Sequence, residues 1–85
     1  MEIKGKVAVI TGAASGIGKA AAARFAKEGA AGVVLADLSY AKTKDAASEV
    51  GGHAVECDVS KEADVKRLVR EAEVRFGREI GRAHV

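Results

Sequence analysis

The sequence predicts an α/β fold, the N-terminal half of a doubly wound parallel sheet, built β-α-β-α-β-α with strands in the order 3-2-1. Three observations predict it. Short apolar runs (Val7-Ala8-Val9-Ile10, Val33-Val34-Leu35-Ala36 and the stretch from His53 to Asp58) alternate with longer segments of helical period. Glycine punctuates the changes, at Gly12, Gly29, Gly51-Gly52 and Gly77. Such alternation implies parallel strands joined by right-handed crossovers, with helices on both faces.

Gly5-Lys6 turns into the first strand, Val7 to Thr11. Its apolar residues without alternation mark a strand buried on both faces. The first helix is expected from Gly16 to about Glu28, with Ile17, Ala21 and Phe25 as a narrow stripe against the sheet. Gly29 is placed to end it in a left-handed conformation. The second strand, Val33 to Ala36, ends at Asp37. Ser39 is expected to cap a second helix, Tyr40 to about Val50, which Gly51-Gly52 terminates. The third strand runs from His53 to Asp58, with Val55 and Cys57 on one face. Ser60 is expected to cap a third helix, Lys61 to Phe76, whose apolar face is Val65, Leu68, Val69, Ala72 and Phe76. Glu62 and Asp64 lie at its positive end, ion pairs Glu62–Lys66 and Glu71–Arg75 are expected on its solvated side, and Gly77 closes it. In the order 3-2-1 the first strand is an edge, although its composition is that of a central strand. The chain is therefore expected to be truncated before a fourth strand, leaving an aggregation-prone edge.

A length of 85 residues limits the chain to one domain that buries only about 60–65% of its unfolded surface. Hydrophobic content of 48% beside 31% charged residues suits a globular protein. Aromatic content of 4% supplies no stacking platforms for single-stranded nucleic acid. A net charge of +2 is too small to point to nucleic acid or a membrane surface. Cys57 is the single cysteine, so no internal disulfide forms, and a reducing, cytoplasmic setting is expected. Met1 to Lys6 offers no signal-peptide apolar region, and no apolar run approaches the roughly 18–20 residues of a membrane span.

The chemistry concentrates in the stretch from Val7 to Gly18. A buried strand runs through the spacing G-x-x-x-G-x-G at Gly12, Gly16 and Gly18 into the start of an alanine-rich helix. Glycines let backbone approach a ligand closely, and the free N–H groups and dipole of a helix start favour negative charge; the arrangement is a phosphate-binding device. The spacing differs from the general dinucleotide fingerprint G-x-G-x-x-G.

Thr11-Gly12-Ala13-Ala14-Ser15-Gly16-Ile17-Gly18, Asp37 at the end of the second strand and Cys57-Asp58-Val59 after the third closely resemble the N-terminal part of the short-chain dehydrogenase/reductase family. The resemblance covers residues 1–77, about the first third of a typical member. It implies a Rossmann NAD(P)-binding domain and a parent oxidoreductase that moves hydride between a nicotinamide cofactor and an alcohol or carbonyl substrate. It also implies a homo-oligomeric parent. Carried onto matching positions, it implies that Gly12, Gly16 and Gly18 shape the pyrophosphate turn and that Ser15 and Ile17 offer backbone donors there. Asp37 would accept hydrogen bonds from the adenosine ribose hydroxyls, with Leu38 beside it. Asp58 and Val59 would hold the adenine edge, by side chain and backbone respectively. Asp37 is reached from spacing as well, about 20 residues past the last glycine of the turn. A carboxylate pairs with a 2′-hydroxyl and repels a 2′-phosphate. The positions where the family often carries a basic residue are Ser15 and Leu38 here, so NAD is expected over NADP, although Lys42 and Lys44 lie nearby. The family's catalytic Asn, Ser, Tyr and Lys have no counterpart in these residues, so the chain alone is expected to be inactive.

Other patterns are weaker. Tyr40-Ala41-Lys42-Thr43-Lys44 matches the family's catalytic Y-x-x-x-K by spacing, but the real motif belongs to a later helix, and Tyr40 is expected at the surface. A phosphate loop of the G-x-x-x-x-G-K-[ST] type fails because positions 13 and 20 are both alanine. His53 and Cys57 lack metal-ligand spacing; His53 reads as a turn residue and Cys57 as a small buried one. The cations Lys66, Arg67, Arg70 and Arg75 alternate with acids as a solvated face. Residues 1–78 are thus expected to form the N-terminal portion of the cofactor domain. Residues 79–85 resemble the in-frame translation of a common DNA-sequencing adapter and are expected to be a non-native tail, in which His84 carries no function. The competing reading is a naturally short, non-catalytic dinucleotide-binding module.

Overall fold

The computed structural model describes residues 4–76 and the backbone pairing of 80–82. Strand β1 (Val7–Thr11) leads to helix α1 (Gly16–Lys27), β2 (Gly32–Asp37), α2 (Tyr40–Val50), β3 (His53–Glu56), α3 (Glu62–Phe76) and a short β4 (Ile80–Arg82). The sheet is parallel, in the order β3-β2-β1-β4. The expected order 3-2-1 holds, but the expectation that the sheet stops at three strands is corrected. Val7 stands opposite Ile80 and Val9 opposite Arg82, so β1 is flanked on both sides. The physical reason is that β1's second row of N–H and C=O groups needs a partner and takes any extended backbone that reaches it, whatever its side chains. The expected helix end at Gly77 and the residue His84 lie outside the described residues.

Alternation along β1 and β2 divides the core between two faces. Val7, Val9, Val34 and Ala36 join Val55, Cys57, Leu68 and Ala72 beneath α3, with Phe76 packed against them. Ile10, Val33 and Leu35 join Ala13, Ala22, Ala46 and Ala47 beneath α1 and α2. Of the predicted face of α3, Leu68, Ala72 and Phe76 meet the core, whereas Val65 and Val69 are only half-buried and join neither cluster; the shared face of Val55 and Cys57 is observed. A β-carbon at Gly32 would run into the Phe76 ring, which is how the end of α3 closes over the start of β2.

Several local expectations are corrected. The buried face of α1 is Gly18 and Ala22, with Ala21, Phe25 and Ala26 half-buried, whereas Ile17 is 73% exposed. Helical rotation of 100° per residue moves Ile17 off the face that Gly18 brings onto β1. Gly29 and Gly51 do adopt left-handed conformations after α1 and α2. Ser39 occupies the N-cap position of α2 without a side-chain cap bond; its C=O instead accepts from the N–H and, at 2.6 Å, the hydroxyl of the buried Thr43. β3 ends at Glu56 rather than Asp58, because the chain turns at Asp58. Ser60 does not cap α3: its hydroxyl donates to Asp58 Oδ1 at 2.6 Å, while Asp64 Oδ2 accepts the Asp58 N–H at 3.0 Å. The Glu62–Lys66 pair forms at 3.2 Å, but Glu71 takes Arg67 rather than Arg75. Arg67 also donates to the Glu56 carbonyl at 2.6 Å, which ties α3 to β3.

Leu68 is the largest side chain that α3 buries, at 2% exposure. Leu68→Ala is expected to cost about 2–5 kcal/mol, by lost transfer energy and the cavity left behind. Val74→Ala, on the solvated side of the same helix, should cost under about 0.5 kcal/mol. Urea unfolding midpoints of the two variants test this.

Candidate functional site

The segments after β1, β2 and β3 emerge side by side at the carboxyl edge of the sheet. Register makes this so: Thr11 stands opposite Ala36 and Asp37 opposite Glu56. In an open parallel sheet this edge is where ligands bind.

The turn after β1 is built by its glycines and Ser15. Gly12 has φ 64°, a left-handed conformation that reverses the chain out of the strand. Its carbonyl accepts both the N–H of Ser15 at 3.1 Å and the Ser15 hydroxyl at 2.8 Å. Ser15 is the N-cap of α1, and its Oγ in turn accepts the Gly18 N–H at 3.1 Å. Gly18 lies against the turn so closely that a β-carbon there would stand 2.7 Å from Ala13 Cα. Gly16 is different: a β-carbon would meet nothing within 4 Å. The chain itself uses the bareness of Gly18 and leaves the space over Gly16 open. The N–H groups of Gly16 and Ile17, in the first turn of α1, have no carbonyl partner within the helix. The Ser15 N–H is already given to Gly12.

Asp37 meets this turn directly. Its Oδ2 accepts the Ala14 N–H at 3.1 Å and its Oδ1 the Ser39 N–H at 3.2 Å. Its backbone carbonyl accepts the N–H of Cys57 at 3.0 Å, and beside it Ala13 N–H reaches the Ala36 carbonyl at 3.1 Å. Sequence spacing located Asp37; it did not locate Ala14, whose contribution is a backbone N–H that any residue type would supply. Asp64, which fixes the Asp58 backbone, was legible only as an acid near a helix start.

Asp58 faces the same edge with its carboxylate engaged in its own turn. Oδ1 accepts the Ser60 N–H at 3.0 Å as well as the hydroxyl. These bonds from Ser60 hold the Asp58 carboxyl below its ordinary pKa. Leu38 is 64% exposed and Val59 55% exposed, so each presents apolar surface next to an acid. Tyr40 opens α2 and is exposed at the surface, as expected. Cys57 is buried in the core, and burial, followed by the nearby Asp64 charge, raises its thiol pKa, which disfavours the reactive thiolate. Burial and then the Arg75 charge lower that of His53.

Two expectations follow from this geometry. Gly18→Ala forces backbone apart at the turn and is expected to cost about 1–3 kcal/mol, whereas Gly16→Ala, with open space above it, should leave stability within about 0.5 kcal/mol; thermal unfolding of both variants checks the contrast. Because the folded-state pKa of Asp58 is lowered, the stability contributed by its turn is complete above the unfolded value of about 4 and is lost as pH falls below it. Asp58→Asn should therefore flatten the acid side of the stability–pH curve without changing its shape above about pH 6, as measured by urea midpoints.

The model of the family described as short chain dehydrogenase matches residues 6–80. A borneol dehydrogenase of Lavandula x intermedia is 45% identical over 76 residues, which cover 89% of this chain and 29% of that protein. A 3-hydroxyacyl-CoA dehydrogenase type-2 of Drosophila melanogaster is 45% identical over 78 residues, covering 89% and 30%. Among solved structures, a 3-ketoacyl-(acyl-carrier-protein) reductase from Brucella melitensis complexed with NADH superposes with a TM-score of 0.83 at 48% identity, over 91% of this chain and 32% of the reductase. The chain thus spans about three-tenths of the length of these relatives. With the parallel sheet, the glycine turn and Asp37 at its carboxyl edge, these matches make the chain a member of the short chain dehydrogenase family.

Proposed function

We propose that the chain binds the adenosine and pyrophosphate half of NAD, and that it is the cofactor-binding portion of an oxidoreductase acting on an alcohol or carbonyl substrate. The observation that carries this reading is Asp37, held by the Ala14 N–H against a turn whose Gly16 leaves open space above the start of α1. The pyrophosphate would lie over Gly16, where the N–H groups of Gly16 and Ile17 and the helix dipole favour its charge. Asp37 would accept from the ribose hydroxyls. Leu38, Asp58 and Val59 would border the adenine, Leu38 and Val59 with the apolar surface they expose. The bound cofactor supplies the hydride acceptor or donor. The residues described contribute binding and orientation, and the groups that move the substrate proton in the family have no counterpart among them.

Preference for NAD over NADP rests on charge. A 2′-phosphate would bring about two negative charges beside the Asp37 carboxylate, with Ser15 and Leu38 where a compensating cation would be needed. The Brucella reductase, solved with NADH, supports a nicotinamide cofactor here. No helix among the described residues is long and apolar enough to cross a membrane, and a cytoplasmic location is part of this reading.

Calorimetric titration of the 85-residue chain tests the cofactor. NAD should bind at least about tenfold more tightly than NADP, equal or tighter NADP binding would overturn the preference, and binding of neither would overturn the cofactor reading. No hydride transfer to NAD from alcohol substrates is expected from this chain; turnover would place catalytic groups within it.

A further inference from the structure

We propose that Asp37 is also the positioning residue of the glycine turn, so that one carboxylate both recognises the ribose and sets where the pyrophosphate donors stand. The inference rests on the cofactor reading above and adds to it a role within the protein itself. The turn leaves β1 at Gly12 and enters α1 at Ser15, and its inner side is fixed by the bonds that Ser15 makes to Gly12 and Gly18. Its outer side is fixed by two successive N–H groups. Ala13 donates to the Ala36 carbonyl, which extends the β1–β2 ladder by one rung, and Ala14 then donates to Asp37 Oδ2. Past that point no backbone carbonyl of β2 continues the ladder, because Asp37 is the last residue of the strand and its own carbonyl faces Cys57. The side chain takes over as acceptor for Ala14.

Asp37 is well placed for this because it is itself fixed from two directions. Its carbonyl accepts the N–H of Cys57, the residue after β3, and its Oδ1 the N–H of Ser39 before α2, where the Ser39 carbonyl in turn accepts the buried Thr43 hydroxyl. A carboxylate accepts an N–H more strongly than a neutral oxygen does, and a peptide left without this acceptor is free to rotate or to seek water. Rotation of the Ala14 peptide would displace the Ser15 cap that follows it and, with it, the Gly16 and Ile17 donors.

The test separates this role from ribose recognition by using a ligand that lacks the ribose hydroxyls, the 2′,3′-dideoxyadenosine analogue of NAD. Asp37→Ala, Asp37→Asn and the unchanged 85-residue chain are compared. Asparagine keeps an oxygen for the Ala14 N–H. If Asp37 positions the turn, Asp37→Ala should weaken binding of the dideoxy ligand at least about fivefold, the size of one lost hydrogen bond, and Asp37→Asn should restore most of that loss. Equal affinity of the Ala variant and the unchanged chain would overturn the proposal. A second readout does not depend on ligand: amide hydrogen exchange at Ala14 should quicken about tenfold or more in the Ala variant and less in the Asn variant, while the Ala22 amide inside α1 stays unchanged as a control for folding. Unchanged exchange at Ala14 would overturn the proposal. Should the unchanged chain bind neither ligand, the cofactor reading fails, and the exchange measurement alone then decides whether Asp37 positions the turn.

Discussion

The closest approach in the structure on which the site depends is that of Gly18 to the backbone of Gly12 and Ala13. A helix carries side chains that hold its axis away from a neighbouring strand; with only a hydrogen at this position, α1 comes down onto the turn that leads into it. Two consequences follow from that one contact. Ala22, one turn along, reaches the core beside Ile10 and Leu35. The start of α1 is also left pointing at the carboxyl edge of the sheet, where its first N–H groups lack partners of their own. Packing and function therefore draw on the same missing side chain, whereas Gly16, over open space, is asked for nothing by the fold.

Asp37 joins what the glycine contact places. Its carbonyl and two carboxylate oxygens engage the segment after β3, the turn after β1 and the segment that leads into α2. The segments that form the site are thus linked to one another, and not merely to the strands they follow. This linkage suits a small domain, in which total stability is expected to be only about 5–15 kcal/mol and loops have little core beneath them to hold their shape.

Much of this was legible in the sequence, for physical reasons that can be named residue by residue. Continuous apolar runs in Val7–Ile10 and Val33–Ala36 can be satisfied only by a sheet covered on both faces, and alternation with helices makes that sheet parallel. The face of α3 was legible because Leu68, Ala72 and Phe76 recur at helical spacing among charges. The face of α1 was misjudged by one residue. Apolarity favoured Ile17, but the decisive quantity was size, and glycine at 18 is a packing residue that hydrophobic periodicity does not count. The serine caps were misplaced for different reasons. Ser39 holds the N-cap position of α2 but its hydroxyl makes no cap bond, whereas Ser60 lies one residue before Lys61, whose carbonyl accepts the Val65 N–H of α3, and gives its hydroxyl to Asp58 Oδ1. β4 has no sequence signature: Ile80, Gly81 and Arg82 show no apolar run, yet they pair in register with Val7, Ala8 and Val9. Ala14 was equally silent, because a backbone donor leaves no trace in side-chain identity.

The distribution of exposed apolar surface carries the last step. Single exposed hydrophobics are ordinary on any protein, and Val74 on the outer side of α3 is one. Ile17, Leu38, Tyr40 and Val59 are not scattered in that way, since they belong to the start of α1, the end of β2, the start of α2 and the segment after β3, all at the carboxyl edge. Between them stand the acidic groups of Asp37 and Asp58 and the free donors of the helix start. A surface for an apolar partner alone would not need carboxylates with fixed geometry, and a surface for an anion alone would not expose Leu38 and Val59 beside them. The combination suits a ligand that is anionic in one part, rich in hydroxyls in the next and flat and apolar beyond, in that spatial order from α1 across β2 to β3. An adenine dinucleotide has that order of groups along its length, and this correspondence supports the cofactor reading independently of the glycine spacing.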